Sequence, residues 1–309
     1  MTQFGQYPAP DHVIAHISDT HFLSGGRPLY GTVHTQDNLL QALRQLERSG
    51  AHPGAIVFTG DLADLGEPDA YLRLRAVVEP AAACMGAQIV WVMGNHDDRL
   101  QFASGLFDEA GAAGPQDRVH DVGGLRIIAL DTSVPGYHHG EITDEQLEWL
   151  GEVLSTPAPH GTMLALHHPP IPTPLDMMAI LELQDQDRLA VVVRGTDVRV
   201  ILGGHLHYST HSTFAGVPVS VAAATCYTLD VSAPPRVLSG VNGGQSFNLV
   251  HVYQDRIVHS VVPIGEPSEV TGFGEDHREL IERMSPAERR EAFSNKSSTF
   301  TGPTGAGPS

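Results

Sequence analysis

Cysteine is nearly missing from this chain of 309 residues: Cys84 and Cys226 stand alone, without a C-x-x-C pair, so neither a disulfide framework nor a thiolate zinc site is indicated. Each is expected to be a small buried apolar side chain. Basic residues are also scarce, with 18 Lys and Arg against 36 Asp and Glu, for a net charge of −18. Binding a nucleic-acid duplex or an anionic lipid surface requires clustered cations, so extended DNA or RNA is argued against as a partner. A small phosphorylated molecule is not, because bound divalent cations reverse the local potential inside an acidic protein. No stretch approaches the ~18 apolar residues that span a bilayer, and the first fifteen residues lack the basic and apolar regions of a secretory signal. A cytoplasmic protein without a transmembrane segment is expected. No internal repeat is visible at solenoid spacing.

What the chain does contain is a series of short apolar runs rich in Val and Ile, at residues 13–17, 55–58, 89–93, 125–130, 163–166 and 198–202. Their length and the polar, Gly-containing segments after them predict buried strands. Helical periodicity lies between several of them. Over 35–49, Leu39, Leu40, Leu43 and Leu46 share a face, and 69–83 carries Tyr71, Leu74 and Val78. Thr143 and Gln146 have the spacing of a helix-starting capping box. Residues 217–223, 248–253 and 256–263 read as strands without intervening helices, the last two forming a hairpin around Gln254-Asp255. A mobile loop is expected over 240–244. From about 265 the chain turns polar. The predicted organisation is therefore one α/β domain over 1–264, a helical extension over 265–293 that restarts at Ser285-Pro286, and a disordered tail over 294–309.

Asp, His and Asn gather just after the predicted strands, where open α/β sheets form their crevices. They read Asp19-Thr20-His21, Gly60-Asp61 with Asp64, Gly94-Asn95-His96-Asp97, His167-His168 and Gly204-His205-Leu206-His207. Singly, a strand-terminal Asp is most often a cap and a lone His a hydrogen-bonded core or surface residue. In succession they mix carboxylate, amide oxygen and imidazole, donors that suit Mn, Fe or Zn better than Ca or Mg. His205 and His207, two apart at a strand end, can point the same way. Either His167 or His168 could coordinate, because neighbouring strand residues face opposite sides.

This order of motifs resembles the calcineurin-like metallophosphoesterases. Ser18-Asp19-Thr20-His21, Gly94-Asn95-His96-Asp97-Asp98, His167-His168-Pro169-Pro170 and Gly204-His205-Leu206-His207 are similar in detail to the class III cyclic nucleotide phosphodiesterases, above all their mycobacterial members. The resemblance runs to about Ile264. It implies a four-layer αββα sandwich and two metal ions, Mn and Fe first, with Zn also compatible. Asp19, His21, Asp61 and His207 would hold one ion, and Asp61, Asn95, His167 and His205 the other, with Asp61 as the bridge. A carboxylate has two oxygens and can span ions ~3.5–4 Å apart. The resemblance selects His167 as the ligand and leaves His168 a structural or outer-shell role.

The activity implied is hydrolysis of a cyclic nucleotide phosphodiester, 3′,5′-cAMP or 2′,3′-cAMP, by a hydroxide bridging the two ions. His96 would then stabilise the phosphoryl oxygen or protonate the leaving oxygen, with Asp64 orienting it and keeping it charged. Leu65 stands where the phosphoprotein phosphatases carry a phosphate-gripping Arg, which counts against a phosphomonoesterase. His138, His139 and the segment around Tyr208 follow predicted strands near the same edge and could contact substrate, with loop solvation the default for His138 and His139. No stacking aromatic can be placed in the pocket from sequence. Two alternatives stand beside this reading: a broad small-molecule phosphodiesterase, and an envelope- or partner-binding protein acting through its tail, where Arg283, Arg289, Arg290 and Lys296 lie. The family further implies a homodimer and peripheral association with the cell envelope.

Overall fold

A computed structural model describes residues 3–234, 238–270, 272 and 274–300. The strands are β1 (His12–Ile17), β2 (Ala55–Thr59), β3 (Gln88–Val92), β4 (Arg118–Val122), β5 (Leu125–Leu130), β6 (Thr162–Leu166), β7 (Val198–Gly203), β8 (Thr210–Phe214), β9 (Val217–Val221), β10 (Thr228–Leu229), β11 (Gly240–Val241), β12 (Ser246–Val252) and β13 (Ile257–Pro263). The α-helices are α1 (Thr35–Arg48), α2 (Pro68–Met85), α3 (Arg99–Phe107), α4 (Asp144–Leu154), α5 (Asp176–Ala179), α6 (Gln186–Val193), α7 (Glu275–Arg283) and α8 (Pro286–Ser294). The chain divides into two compact units, Pro10–Gly265 and a second that joins the residues before Pro10 to those from Glu266 onward.

In the larger unit, one five-stranded sheet runs β13-β12-β1-β2-β3 and one six-stranded sheet runs β4-β5-β6-β7-β9-β8. Strand alternation makes the layers. Ile14, Ala55, Val57, Val90 and Val92 of the first sheet meet Leu125, Ile127, Ala129, Met163 and Leu202 of the second in a core between the sheets. The neighbouring positions Ala15, Ile17, Ile56, Phe58 and Trp91 turn outward, onto Leu39 and Leu46 of α1, Tyr71 and Leu74 of α2 and Phe102 of α3. On the far side, Ile128, Leu164 and Ile201 pack on Leu147 and Leu150 of α4 and Leu189 of α6. The result is the expected αββα sandwich. Each fully buried Leu, Ile or Phe contributes about 1.5–3 kcal/mol through removal from water, so the continuous apolar strands that the sequence shows are what a sheet covered on both faces requires.

Parallel pairing joins β1 to β2, β2 to β3, β5 to β6, β6 to β7 and β7 to β9. The capping box at α4 is present: Thr143 Oγ1 accepts from the Gln146 N–H at 3.2 Å, and Gln146 Oε1 accepts from the Thr143 N–H at 3.1 Å. Two features differ from expectation. Cys84 is exposed, with Sγ 3.1 Å from Glu47 Oε1. The buried stripe of α2 runs Ala70, Tyr71, Leu74, Val78 and Ala82, and a residue two beyond Ala82 falls on the opposite face of a 3.6-residue helix. Within 240–244, Gly240 and Val241 pair with β10.

In the smaller unit, Ser285 caps α8 through a reciprocal box with Glu288, which is why the helical pattern breaks and restarts there. Arg289 donates to the Ile281 carbonyl at 2.8 Å and lies over the Phe4 ring. Residues 295–300 hold no helix or strand, and 301–309 of the expected disordered tail lie outside the described residues. Among the described residues no helix is long and apolar enough to cross a membrane.

Candidate metal centre

The carboxyl ends of β1, β2, β3, β6 and β7 release the five motifs into one crevice. The segments after β1, β2 and β7 turn sharply: Asp19, His21, Asp61, His205 and His207 all have positive φ, between 45° and 67°. Left-handed backbone costs roughly 1–2 kcal/mol per L-residue, so five together approach the net stability of a whole domain. Local bonding holds them there. Asp19 N–H donates to Gly60 O at 3.1 Å and His21 N–H to Asp61 O at 2.9 Å. Asp97, the last residue of the Gly-Asn-His-Asp motif, accepts from the backbone N–H groups of Leu62, Ala63 and Gly94 and from the Tyr71 hydroxyl, stapling the second and third motifs together. Glycine is required where the loops touch. A Cβ on Gly94 would lie 2.2 Å from Asp61 N, and one on Gly204 would lie 2.0 Å from Ser18 Oγ.

The seven expected ligands come together. Asp61 Oδ2 lies between two imidazoles, 3.5 Å from His21 Nε2 and 3.3 Å from His167 Nε2. On one side of it, ligand atoms of Asp19, His21, Asp61 and His207 all fall within 4.8 Å of one another. On the other, Asn95 Oδ1 lies 3.1 Å from His167 Nε2, and the His205 ring is 5.0 Å from that of His167. The far nitrogens are occupied: His21 Nδ1 by Asp64 Oδ1 at 2.9 Å, His167 Nδ1 by Thr59 O at 2.7 Å and His207 Nδ1 by Tyr227 O at 3.0 Å. A donor fixed at Nδ1 leaves Nε2 free to coordinate, the arrangement of metal-binding histidines. His21 Nε2 and His205 Nε2 are buried with no hydrogen-bond partner among the described residues. Buried orphans of this kind are costly unless something completes them, and a cation would. The donor set fits two divalent ions.

His168 differs from His167. Its Nε2–H donates to His138 O at 3.1 Å, and its Nδ1 accepts from Thr132 Oγ1 at 2.8 Å, so both nitrogens are engaged. Burial, then the charge of His167, pushes its pKa down to about 3. It is a neutral packing residue behind the centre.

Asp64 corrects the expected pairing. Its carboxylate goes to His21, while its backbone carbonyl takes the Nδ1–H of His96 at 2.8 Å; the carboxylate lies 3.6 Å from that nitrogen. Asp64 therefore orients the His21 imidazole and the neighbouring His96 by two different atoms. The His96 ring stands edge-on to His21 at 4.8 Å. His138, for which loop solvation is the default, enters the site: its Nδ1 accepts from Asn95 Nδ2 at 2.8 Å, which fixes the amide with Oδ1 toward His167, and its ring lies 5.0 Å from His96. No motif announces it; only its place after β5 hints at the site. His139 instead pairs with Glu141, and the Tyr208 hydroxyl bonds Thr173.

The electrostatics follow from two buried carboxylates. Burial would raise Asp61, but the charges of His167 and His96 bring it well below the usual range. Burial would lower His167, yet Asp61 carries it up to about 9. His207 is likewise raised against burial by Cys226 and Asp19, whereas burial holds His21 and His205 low. The lowered Asp61 and the raised His167 and His207 thus share one cause, the close approach of buried carboxylates and imidazoles.

The calcineurin-like phosphoesterase family matches residues 12–209. A cAMP/cGMP dual specificity phosphodiesterase of Mycobacterium tuberculosis (strain CDC 1551 / Oshkosh) is 55% identical over 96% of this chain and 95% of its own length. A protein of Rhodococcus erythropolis (strain PR4 / NBRC 100887), named as a probable cyclic nucleotide phosphodiesterase, is 53% identical over 94% of this chain and 96% of its own. Among solved structures, a dimetal phosphatase from Danio rerio superposes with a TM-score of 0.60 at 18% identity, over 83% of this chain and 98% of that one, which shows the shared fold. The family match spans every strand-end motif from Asp19 to His207, and the chain belongs to the calcineurin-like phosphoesterase family.

Proposed function

We propose that this chain is a metal-dependent cyclic nucleotide phosphodiesterase acting on 3′,5′-cAMP. The observation that carries this is the 55% identity, along 96% of the chain, to a phosphodiesterase of cAMP and cGMP. The geometry supports the reaction class. Asp19, His21, Asp61 and His207 would hold one divalent ion and Asp61, Asn95, His167 and His205 the second; mixed O and N donors without thiolate suit Mn and Fe, with Zn also compatible. When bound, two such ions supply an activated water and neutralise charge on the phosphoryl oxygens. The chain does the rest. Asp61 sets the spacing between the two halves, and Asp64 and Thr59 hold His21 and His167 with Nε2 inward. His96, pinned at Nδ1, has Nε2 left to deliver a proton to the departing ribose oxygen. Leu65, where a phosphatase would place Arg, gives a monoester dianion no guanidinium to bind.

Metal-loaded protein assayed in parallel against 3′,5′-cAMP, 3′,5′-cGMP, 2′,3′-cAMP, an aryl phosphodiester and an aryl phosphomonoester tests this. Diesters are expected to exceed the monoester in kcat/KM by at least about tenfold, or ~1.4 kcal/mol of transition-state stabilisation. The reverse ranking moves the chain to phosphatase chemistry; equal turnover of all diesters favours a broad phosphodiesterase.

Metal uptake itself has a pH signature. His167, with a pKa raised to about 9 in the metal-free protein, carries a proton at pH 7 that an incoming ion must displace. Affinity should therefore rise with pH and level off above about 9, by roughly tenfold per pH unit for each proton displaced. Adding Mn(II) to metal-free protein in weakly buffered indicator at pH 7 is expected to release protons. Binding with no release would place the ions elsewhere.

A further inference from the structure

The rim of the centre carries an aromatic arrangement that metal binding does not explain. Tyr227 lies against the ligand side, its ring centroid 4.5 Å from His207 and 6.4 Å from His21. Tyr30 stands edge-on to Tyr227 at 5.6 Å and 67°, and it is 71% exposed. Its backbone is left-handed, with φ of 51°. That conformation costs a bulky L-residue roughly 1–2 kcal/mol, which Gly would avoid. A loop that needed only to turn would not place an aromatic there.

The loop is also rigid beneath the ring. Leu29 and Val33 exchange both backbone hydrogen bonds, at 2.9 and 3.0 Å, and close a tight turn around Tyr30. Both side chains are buried with Ala224 and Cys226, the residues that lead into Tyr227. The turn that carries Tyr30 and the segment that leads into Tyr227 therefore pack on each other and hold one exposed aromatic face one ring away from the metal-side histidines. A rigid aromatic surface beside an anion site suits a planar heterocycle joined to a phosphate, because every nucleobase offers a π-face and stacking needs no hydrogen-bond code.

We propose that Tyr30, backed by Tyr227, is the platform on which the nucleobase of the substrate stacks, and so determines the preference for nucleotides over other small diesters. This rests on the cyclic nucleotide reading above. It also accounts for a site able to accept more than one base, since stacking distinguishes bases weakly. The competing location is a groove of about 250 Å³ on the opposite side, bordered by Met93, Asn95, Leu100, Ala113 and Val134. No aromatic ring is among the residues that line it.

The test uses the full-length, metal-loaded chain and compares 3′,5′-cAMP with ribose 3′,5′-cyclic phosphate, which has the same diester and no base. Tyr30→Ala is expected to raise KM for cAMP about tenfold, the scale of losing one base–aromatic stack, while leaving the base-free diester unchanged. Tyr30→Phe should behave as wild type. An independent readout is the fluorescence of a 2-aminopurine riboside cyclic phosphorothioate, quenched on stacking: quenching should persist in Tyr30→Phe and vanish in Tyr30→Ala. Unchanged KM for cAMP in Tyr30→Ala, or equal damage to both substrates, overturns the proposal. So does loss of the base effect on filling the opposite groove by Ala113→Phe with Tyr30 intact. A wild-type chain inactive on cAMP brings down the cyclic nucleotide reading and this inference together; an active wild type with an indifferent Tyr30 brings down this inference alone.

Discussion

Asp61→Asn is expected to leave the fold intact, reduce the metal content from two ions to one, and lower kcat/KM for cyclic nucleotides by about 10³-fold or more, the scale of losing a principal electrostatic element. The substitution preserves shape and hydrogen-bonding size while changing one thing. A carboxylate presents two ligating oxygens, whereas an amide presents one oxygen and an NH₂ group that only donates. Asp61 Oδ2 faces His21 Nε2 and His167 Nε2, and Oδ1 accepts the His96 N–H at 2.8 Å. An asparagine can keep the second contact or serve one ion, but it cannot serve both ions and the amide. The surrounding turn does not depend on this charge, because Asp97 holds Leu62, Ala63 and Gly94 by backbone bonds. Circular dichroism should therefore be unchanged while elemental analysis falls. Two ions retained per chain in Asp61→Asn would show that Asp61 is not the bridge.

The features that could be read from the sequence are those that repeat or that punctuate. The apolar runs at β1, β2, β3, β5, β6 and β7 are continuous because both faces of each sheet are covered, and they end where the polar motifs begin. The capping box at Thr143 and the break at Ser285-Pro286 were equally visible, since both are local chemistry. The edge strand β4 alternates half-buried Arg118 and His120 with exposed Val119 and Asp121 and turns into β5 through Gly123 and Gly124, both at positive φ, a hairpin signature. The hairpin β8–β9 turns on Ala215 and Gly216, and an alanine at φ of 52° gives no warning. Side-chain pairing was the least legible. Asp64 can reach His96 or His21 from its loop position, and only the folded geometry decides that its carboxylate goes to one and its carbonyl to the other. His138 and Tyr227 come from segments outside the motifs whose residues they touch, so no spacing rule connects them.

Asn95 and His96 are adjacent in sequence and are expected to fail in different ways. Asn95 Oδ1 lies beside His167 Nε2 and its amide NH₂ is held by His138, so its oxygen points into the centre. Asn95→Ala removes a neutral oxygen donor, and occupancy of one metal position should weaken, with activity partly restored by excess Mn(II). His96 contributes no atom to the proposed ligand set. Its Nδ1–H is committed to the Asp64 carbonyl, and the ring is braced edge-on against His21. His96→Ala should therefore keep both ions and lose about 10²- to 10⁴-fold in turnover, the usual range for removing a general acid or base. The size of that loss should depend on what leaves. A ribose alkoxide is a poor leaving group and needs a proton as the P–O bond breaks, whereas a nitrophenolate departs without one. Hydrolysis of 3′,5′-cAMP should suffer far more than hydrolysis of a nitrophenyl phosphodiester in the same variant. Metal analysis and both assays on Asn95→Ala and His96→Ala separate the roles. Loss of metal from His96→Ala would make it a ligand, and equal slowing of both substrates would assign it to stabilising the phosphoryl oxygens rather than to protonating the leaving group.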